Sequence, residues 1–374
     1  MRGQLSKSSR DEAVGTEPVA FCCLLFAAHD DEDQEKATGS VPTAFGSGHE
    51  MHLSKGSARD VVSLTELINS ACRDKRNFVP VTERDLHAIW SRDASFGDEG
   101  LLLARDEAGR LIGATHALYD ALTRRGYLPF LLAREGYEAA VWPQLLAASE
   151  RHLATAASVR IGSPYTPLYH ALEGRFQPLW GTTEVMEPAD TDVGLTSFLG
   201  QRGFRVHRTH LAMTHNLSPM PAVDNPLPLS RCEHLQGAEC WSNSYAWYGQ
   251  MASEEFGLYN HELNVFLVRE GYRVIGHIAW YPMKQVGKVA ISDLAVTRQL
   301  RGKGIGTYLL RWALVHLHLR GFTTAELCTT PKLSAAANRL YRRTGFVPTE
   351  RWLEMILTTR NVPSGMGSSE KLFT

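Results

Sequence analysis

The stretch from Asp293 to Thr307 constrains the fold more than any other part of this 374-residue chain. A β-branched, apolar run ending at Leu294-Ala295-Val296 leads directly into a basic turn, Arg301-Gly302-Lys303-Gly304-Ile305-Gly306. Tyr308-Leu309-Leu310-Arg311-Trp312-Ala313-Leu314 follows with the apolar spacing of a helix. Strand, glycine turn and helix in this order present free backbone N–H groups and a helix N-terminus to an anion. A Cβ at Gly304 or Gly306 would obstruct the approach of a phosphate to the backbone, and Arg301 and Lys303 add positive charge at the same place. The stretch reads as a site for a phosphorylated cofactor.

The spacing excludes two common phosphate sites. A P-loop needs Gly-Lys-Ser/Thr at its end, and Gly306-Thr307 lacks the lysine. The dinucleotide fingerprint needs a third glycine three residues after the second, where this chain has Thr307 or Leu309. Arg301, Gly304 and Gly306 after a strand instead make Arg-x-x-Gly-x-Gly, which resembles the acyl-CoA pyrophosphate motif of the GNAT N-acetyltransferase superfamily. A second piece agrees: Asn338-Arg339-Leu340-Tyr341-Arg342-Arg343-Thr344-Gly345-Phe346 has the Asn, the Tyr three residues later and the Gly-Phe turn of the late helix in that superfamily, with Ser334 as a candidate N-cap.

The resemblance implies an α/β fold, acetyl-CoA as co-substrate and direct attack by an amine on the thioester in a ternary complex. The implied cofactor-binding set is Leu294, Ala295, Val296, Arg301, Gly302, Lys303, Gly304, Ile305, Gly306, Thr307 and Asn338. Leu294 and Val296 would pair with the pantetheine and the Val296 amide would polarise the acetyl carbonyl. Tyr341 would protonate the departing thiolate, and Asp293 is the candidate base on the central strand. An ordinary half-buried aromatic and a capping or ion-paired carboxylate are the competing readings of these two. Glu254 and Glu255 are further acceptor-side candidates, as is His277, which also reads as a satisfied sheet histidine. Tyr245, Trp247, Tyr248, Phe256, Tyr259, Trp280 and Tyr281 make the acceptor side aromatic, which suits an amine on a flat or sugar-like body; core packing of a helix over 238–251 fits them equally.

The chain before residue 220 repeats this pattern without its chemistry. A constant offset of 142 lays Gly203 on Gly345, Phe204 on Phe346, Leu211 on Leu353 and Met213 on Met355. The hairpin segments 100–114 and 265–277 also mirror one another. Aligned on Leu145-Leu146 against Leu309-Leu310, an offset of 164, the first copy has Tyr137 at Arg301, Ala140 at Gly304 and Trp142 at Gly306. Leu199 replaces Tyr341 and Thr196 replaces Asn338. The difference between the offsets places about 22 extra residues in the first copy, in the aromatic region from Ser163 to Asp192, read as a satellite cluster or a functional loop.

Two tandem GNAT-like modules are therefore expected, each a mixed, mostly antiparallel sheet flanked by helices: a degenerate one over 51–217 and an active one over 229–359. Residues 218–228 read as the linker, and 1–50 and 360–374 as disordered tails, with Met51 an alternative start. An active second half resembles mycothiol synthase and other two-module acetyltransferases in architecture. Net charge is −1, so nothing draws the chain to nucleic acid or an anionic membrane. The six cysteines show no paired metal spacing or disulfide framework, and no metal is expected. Val19–Ala28 has the size of a signal core, but Asp11, Glu12 and Glu17 spoil its basic flank, which points to the cytoplasm. The expected activity is transfer of an acetyl group from acetyl-CoA to a primary amine of a small molecule. An acyl-CoA sensor or interaction module without turnover, and a peptide or protein amine as acceptor, are the alternatives. Acyl length and oligomeric state are left open.

Overall fold

The computed structural model describes residues 51–92, 100–121, 123–162, 169, 171–172, 175–176, 178–219, 230–236, 264–271, 273–332 and 335–358. The expected tails, most of the linker and Ser334 lie outside these residues. The first half runs β1 (His52–Lys55), α1 (Val61–Ala71), α2 (Glu83–Arg92), β2 (Leu101–Arg105), β3 (Leu111–His116), β4 (Leu118–Asp120), β5 (Arg125–Leu128) and β6 (Leu131–Ala133). It continues with α3 (Glu138–His152), β7 (Ser158–Ile161), β8 (Ala171–Leu172), β9 (Arg175–Phe176), α4 (Val193–Gln201) and β10 (Arg205–Asn216). The second half runs β11 (Ser230–Gln236), β12 (Asn264–Glu270), β13 (Arg273–Pro282), β14 (Lys288–Val296), α5 (Ile305–Leu319), β15 (Thr324–Thr329), α6 (Ala335–Arg343) and β16 (Val347–Thr358).

The architecture is the expected mixed, mostly antiparallel α/β arrangement with helices on the sheets. Ten strands form one sheet in the order β11-β12-β13-β14-β15-β10-β16-β7-β5-β4, accompanied by β1-β2-β3-β6 and the short pair β8-β9. Among the described residues only β14–β15 and β5–β7 are parallel pairs. What the sequence did not indicate is that the halves exchange their last strands. β10 ends the first half but pairs with β15 of the second, and β16 ends the second half but pairs with β7 of the first. The two exchanged strands then pair with each other, antiparallel. Under the offset of 142 His210 corresponds to Trp352, and these two face each other across that ladder. A pseudo-twofold axis therefore passes between them, the arrangement in which equivalent strands meet their own counterparts.

The cores show why the exchange holds. Leu211 and Met213 of β10 sit in the apolar cluster beneath α5, with Leu309, Leu310, Ala313 and Leu314. Their counterparts do the reciprocal job: Met355 of β16 is buried in the first-half cluster with Leu145, Leu146 and Leu199, and Leu353 packs against it. Each such side chain contributes about 1.5–3 kcal/mol on burial. The Gly-Phe turns that launch β10 and β16 are built alike. Gly203 (φ 92°) and Gly345 (φ 101°) adopt the left-handed conformation after their helices. Phe204 N–H returns to Leu199 C=O at 3.1 Å and Phe346 N–H to Tyr341 C=O at 3.0 Å, the Schellman closure of a helix.

Buried charges also cross between the halves. Arg76 grips Glu326 of β15 with two hydrogen bonds, 2.8 and 3.2 Å, and Asn77 Nδ2 adds a third at 2.7 Å. Arg160 of β7 pairs with Glu354 of β16, with Arg208 3.7 Å from the second oxygen. Glu354 is 1% exposed, and burial pushes the Arg160 guanidinium pKa below its usual value against the opposing pull of the Glu354 carboxylate. The region from Ser163 to Asp192 gives its described aromatics to packing: Tyr169 and Trp180 are buried in the cluster under α1 and α2.

Removing one partner of a buried pair strands the other charge in the interior. Glu354→Ala is therefore expected to lower the unfolding free energy by about 3–5 kcal/mol, read from the urea midpoint, with Arg160 and Arg208 left uncompensated.

Candidate active site

The site is organised by one extra residue in β14. Its ladder with β13 pairs Trp280 with Ile291 but Ala279 with Asp293, so Ser292 is a bulge. The inserted residue inverts the alternation of side chains along the strand. Val289 and Ile291 face the cluster under α5, and after the bulge Leu294 and Val296 face it again. Asp293 is thereby turned to the other face, beside His277 of β13. Pairing with β15 ends at the same point: β14 residues 288–291 pair with 324–327, and no pair follows although both strands continue. The strands thus part beyond Ile291.

The backbone of the parted strand points into the gap. Thr297 N–H donates to Ile275 C=O at 2.9 Å, towards β13. Successive N–H groups of a strand alternate, so those of Val296 and Leu294 point away from β13, towards the side β15 has left. These are the two amides that the sequence reading singled out, with Ala295 between them facing β13.

At the end of β14 the chain makes a short 3₁₀ turn over Arg298–Leu300 and then the glycine turn. Gly302 (φ 79°) and Gly304 (φ 83°) are both left-handed, and Gly304 is the N-cap of α5 with no side-chain cap. Backbone conformation adds a requirement for glycine to the one expected from the approach of a phosphate. Nothing lies within 4 Å of a Cβ built on Gly302 or Gly304, so these positions need glycine for φ. At Gly306 a Cβ would make ordinary 3.6 Å contacts with Leu340 and Val296. Residues 301–304 are exposed, Lys303 among them, while Ile305 anchors the helix in the core. Arg301 has a structural task as well, its Nε donating to Val296 C=O at 3.0 Å and tying the turn to the strand end. The uncapped first turn, with Thr307 on its exposed side, is a ready site for an anion.

On α6, Asn338 Nδ2 donates to Thr329 Oγ1 at 3.3 Å, which holds the helix against the end of β15. Tyr341, one turn on, is 9% exposed, its ring edge-on to Phe346 at 6.0 Å. His215 of β10 lies tilted against Phe346 with ring centroids 5.2 Å apart, and burial pushes its imidazole pKa down. A strand of the first half thus supports the turn behind Tyr341. On the opposite face His277 Nε2 lies 2.6 Å from Asp293 Oδ2. Trp280 belongs to the core, stacked on Phe266 at 5.5 Å, and Tyr281 is buried with its hydroxyl donating to Thr183 C=O. Tyr245, Trp247, Tyr248, Glu254, Glu255, Phe256 and Tyr259 lie outside the described residues.

The first half is an internal control. Its helix α3 buries Val141, Leu145, Leu146 and Ser149 where α5 buries Ile305, Leu309, Leu310 and Ala313, the offset of 164. Yet α3 begins at Glu138, the counterpart of Gly302, so helix replaces the glycine turn rather than a tighter loop. Trp142, at the place of Gly306, packs on Phe198, at the place of Leu340, with ring centroids 5.6 Å apart. Strand pairing gives the remaining equivalences. Gly113 pairs with Ala133 as Gly276 pairs with Val296, which puts Ala114 at His277, Phe130 at Asp293 and Pro129 at the bulge. Proline cannot donate to a ladder, and here the strand breaks into β5 and β6. The paired carboxylate and imidazole was missed from sequence, because neither the bulge nor the diagonal contact follows from residue spacing.

Residues 229–346 match the family model described as the acetyltransferase (GNAT) family. No curated protein sequence matches the chain. A GCN5-related N-acetyltransferase from Sphaerobacter thermophilus superposes with TM-score 0.55 at 16% identity, over 82% of this chain and 95% of that one. A tandem GNAT protein from the clavulanic acid biosynthesis pathway gives 0.56 at 16% identity, over 82% and 98%. The glucosamine N-acetyltransferase region of a fungal multi-domain GH3 β-N-acetylglucosaminidase gives 0.58 at 15% identity, over 83% of this chain and 38% of that chain. At these identities the likeness is one of fold. Residues 229–346 of this chain thus match the acetyltransferase (GNAT) family model, in a chain whose fold is like that of a tandem GNAT protein.

Proposed function

We propose that the second half transfers an acetyl group from acetyl-CoA to a primary amine of a small molecule, and that the first half carries no second transfer site. The observation that carries this reading is the succession of three features along the chain. The parted β14 presents the Leu294 and Val296 amides, the Gly302–Gly304 turn follows, and the uncapped N-terminus of α5 closes the row. A thioester carrying a pyrophosphate fits that row: the turn from Arg301 to Thr307 would hold the diphosphate, the strand amides the pantetheine, and Asn338 the flank. Acetyl-CoA supplies the activated acyl group.

In this reading the acceptor enters from the face bearing Asp293, whose carboxylate takes a proton from the ammonium so that the nitrogen lone pair can attack. The Val296 N–H stabilises the charge that grows on the carbonyl oxygen. The Tyr341 hydroxyl gives its proton to the departing sulfur. Direct transfer is favoured over an acyl-cysteine route by the thiols themselves. Cys72 and Cys328, the two cysteines whose side chains are described, are both buried. Burial pushes the Cys72 thiol to about 12, and burial with the nearby Glu184 carboxylate holds Cys328 well above its usual range, so neither is a ready nucleophile. The tandem neighbour comes from a small-molecule biosynthesis pathway and another acts on glucosamine, which favours a small or sugar-borne amine over a protein.

Thiol release from acetyl-CoA over polyamines, aminoglycosides, amino sugars, amino acids and peptides tests the reading. Transfer to one class supports it, and neither release nor acetyl-CoA binding would overturn it. Calorimetry should give one acetyl-CoA per chain. Gly304→Val places a side chain in a left-handed position costing about 1–2 kcal/mol, and acetyl-CoA affinity is expected to fall roughly tenfold or more. Tyr341→Phe is expected to lower kcat roughly a hundredfold with little change in KM for acetyl-CoA. Full turnover by this variant would remove Tyr341 from the acid role.

A further inference from the structure

The extra residues of the first half end in a strap. β7 pairs with β16 as far as Ile161 and Met355, and residues 188–190 then take the edge of β16 that β7 has left. Leu353 N–H donates to Pro188 C=O at 2.8 Å, Asp190 N–H donates to Arg351 C=O at 2.9 Å, and Ala189 bridges Trp352. Just before this, Met186 and Glu187 cross the end of β7. A Cβ on Gly162 would lie 2.6 Å from the Met186 carbonyl oxygen and 2.8 Å from Glu187 Cγ, so the crossing needs glycine beneath it. In the second half β15 stays beside β10 through Thr329, so the corresponding edge is filled without a strap.

One side chain ties this strap to the exchanged strand. Glu187 reaches across β16 to His210 of β10, the residue opposite Trp352, with Oε2 2.7 Å from Nδ1. The two side chains are 0% and 5% exposed, and Glu187 Oε1 has no hydrogen-bond partner. We propose that Glu187 and His210 form a pH-sensitive latch: the protonated imidazole holds the strap over the end of β7, and loss of its proton loosens it. The hydrogen bond outlasts that loss, because Nδ1–H still donates to the carboxylate when the proton leaves Nε2. What disappears is the countercharge, and a buried carboxylate without one is costly. The latch is independent of the acetyl-transfer reading.

The surrounding charges favour the protonated form. Glu184 of the strap and Glu354 of β16 add negative potential at His210, while Arg160 of β7 is engaged by Glu354. Cys328 of β15 also faces Glu187, and burial keeps that thiol uncharged. Burial pulls the His210 imidazole down, but the charge and hydrogen bond of Glu187 outweigh it and leave its pKa above the ordinary 6.5. Burial likewise raises the Glu187 carboxyl against the pull of His210. Both shifts have one sign: the folded protein holds these protons more tightly than the unfolded chain. The stability they contribute is therefore fully present below the unfolded values and is lost as pH rises through the folded ones. For His210 that loss begins above pH 6.5. His207, His215 and His316, whose burial lowers their pKa values, act in the opposite sense.

Urea unfolding of the full chain across the neutral to alkaline range tests the latch in three proteins: wild type, His210→Asn and Glu187→Gln. The Asn amide nitrogen takes the place of Nδ1 and donates to Glu187 without titrating, and Gln at 187 removes the charge that holds the imidazole protonated. The wild-type unfolding equilibrium constant is expected to rise by up to roughly tenfold per pH unit above the unfolded histidine value, the limit for one linked proton. Both variants should lack that rise, so the gap between wild type and His210→Asn narrows as pH increases. The other histidines are present in all three proteins and cancel in the comparison. Native-state hydrogen exchange gives the local readout. Protection of Asp190 N–H, relative to the amides of the β14–β15 ladder, should fall with pH in wild type and stay level in the variants. Parallel unfolding curves at a constant gap, or a strap amide whose protection follows the same pH course in all three proteins, would overturn the latch. If one variant does not fold, the other decides by the same comparison with wild type.

Discussion

Everything else in this molecule depends on the antiparallel pairing of β10 with β16. Because equivalent strands meet at His210 and Trp352, neither half owns a complete sheet or a complete core. Leu211 and Met213 finish the apolar layer under α5, and Leu353 and Met355 finish the one under α3. The interlock is apolar on both faces, with Ala212, Cys328 and Trp352 in the cluster under α1 and α2, and Arg76–Glu326 and Arg160–Glu354 add ion pairs that join residues far apart in sequence. A buried ion pair adds little net stability over an apolar pair, but it penalises any register that separates its charges. The exchange thus ties the position of Tyr341, through Phe346 and His215, to a strand of the first half.

Within that frame the two halves show how little separates a binding site from a packed core. Strand register, helix burial and the Schellman turns are shared, with the same pairings at constant offsets. The differences are local. A glycine turn with two left-handed residues becomes a turn of helix beginning at Glu138. A bulge becomes a proline break, and an open position at Gly306 becomes Trp142 packed on Phe198. Each change replaces backbone that can meet a ligand with side chains that meet one another, so the first half gains packing where it loses a cleft.

The proposed function of the second half rests on backbone before side chains. The amides of Leu294 and Val296 are available because the β14–β15 ladder stops at Ile291, and the α5 terminus is available because Gly304 offers no cap. Side chains then refine what the backbone exposes. Arg301 ties the turn to the strand, Asn338 ties α6 to β15, and Asp293 meets His277 on the opposite face of the sheet. The three-residue spacing from Asn338 to Tyr341 was legible in the chain because a helix turns a spacing into a common face.

The sequence by itself determined the local elements of the active half. It carried the strand before the glycine turn, the need for glycine in that turn, the helix after it, and the duplication visible from Gly203 and Gly345. These rest on the dihedral freedom of glycine and on apolar periodicity, which act over a few residues. It also showed that the first copy lacks the Arg-x-x-Gly-x-Gly pattern and the late-helix tyrosine, since Trp142 and Leu199 are read directly from the chain. Only the tertiary structure decided which strand lies beside which. An exchanged strand and a native one expose the same alternation of Leu and Met, so nothing in β10 or β16 distinguishes their partners until the cores close. The Ser292 bulge is equally silent in sequence: it exists because β13 and β14 pair out of step by one residue, and it alone brings Asp293 and His277 onto one face. Pairing over long separations is set by what the whole core can bury, and that is settled only when the chain has folded.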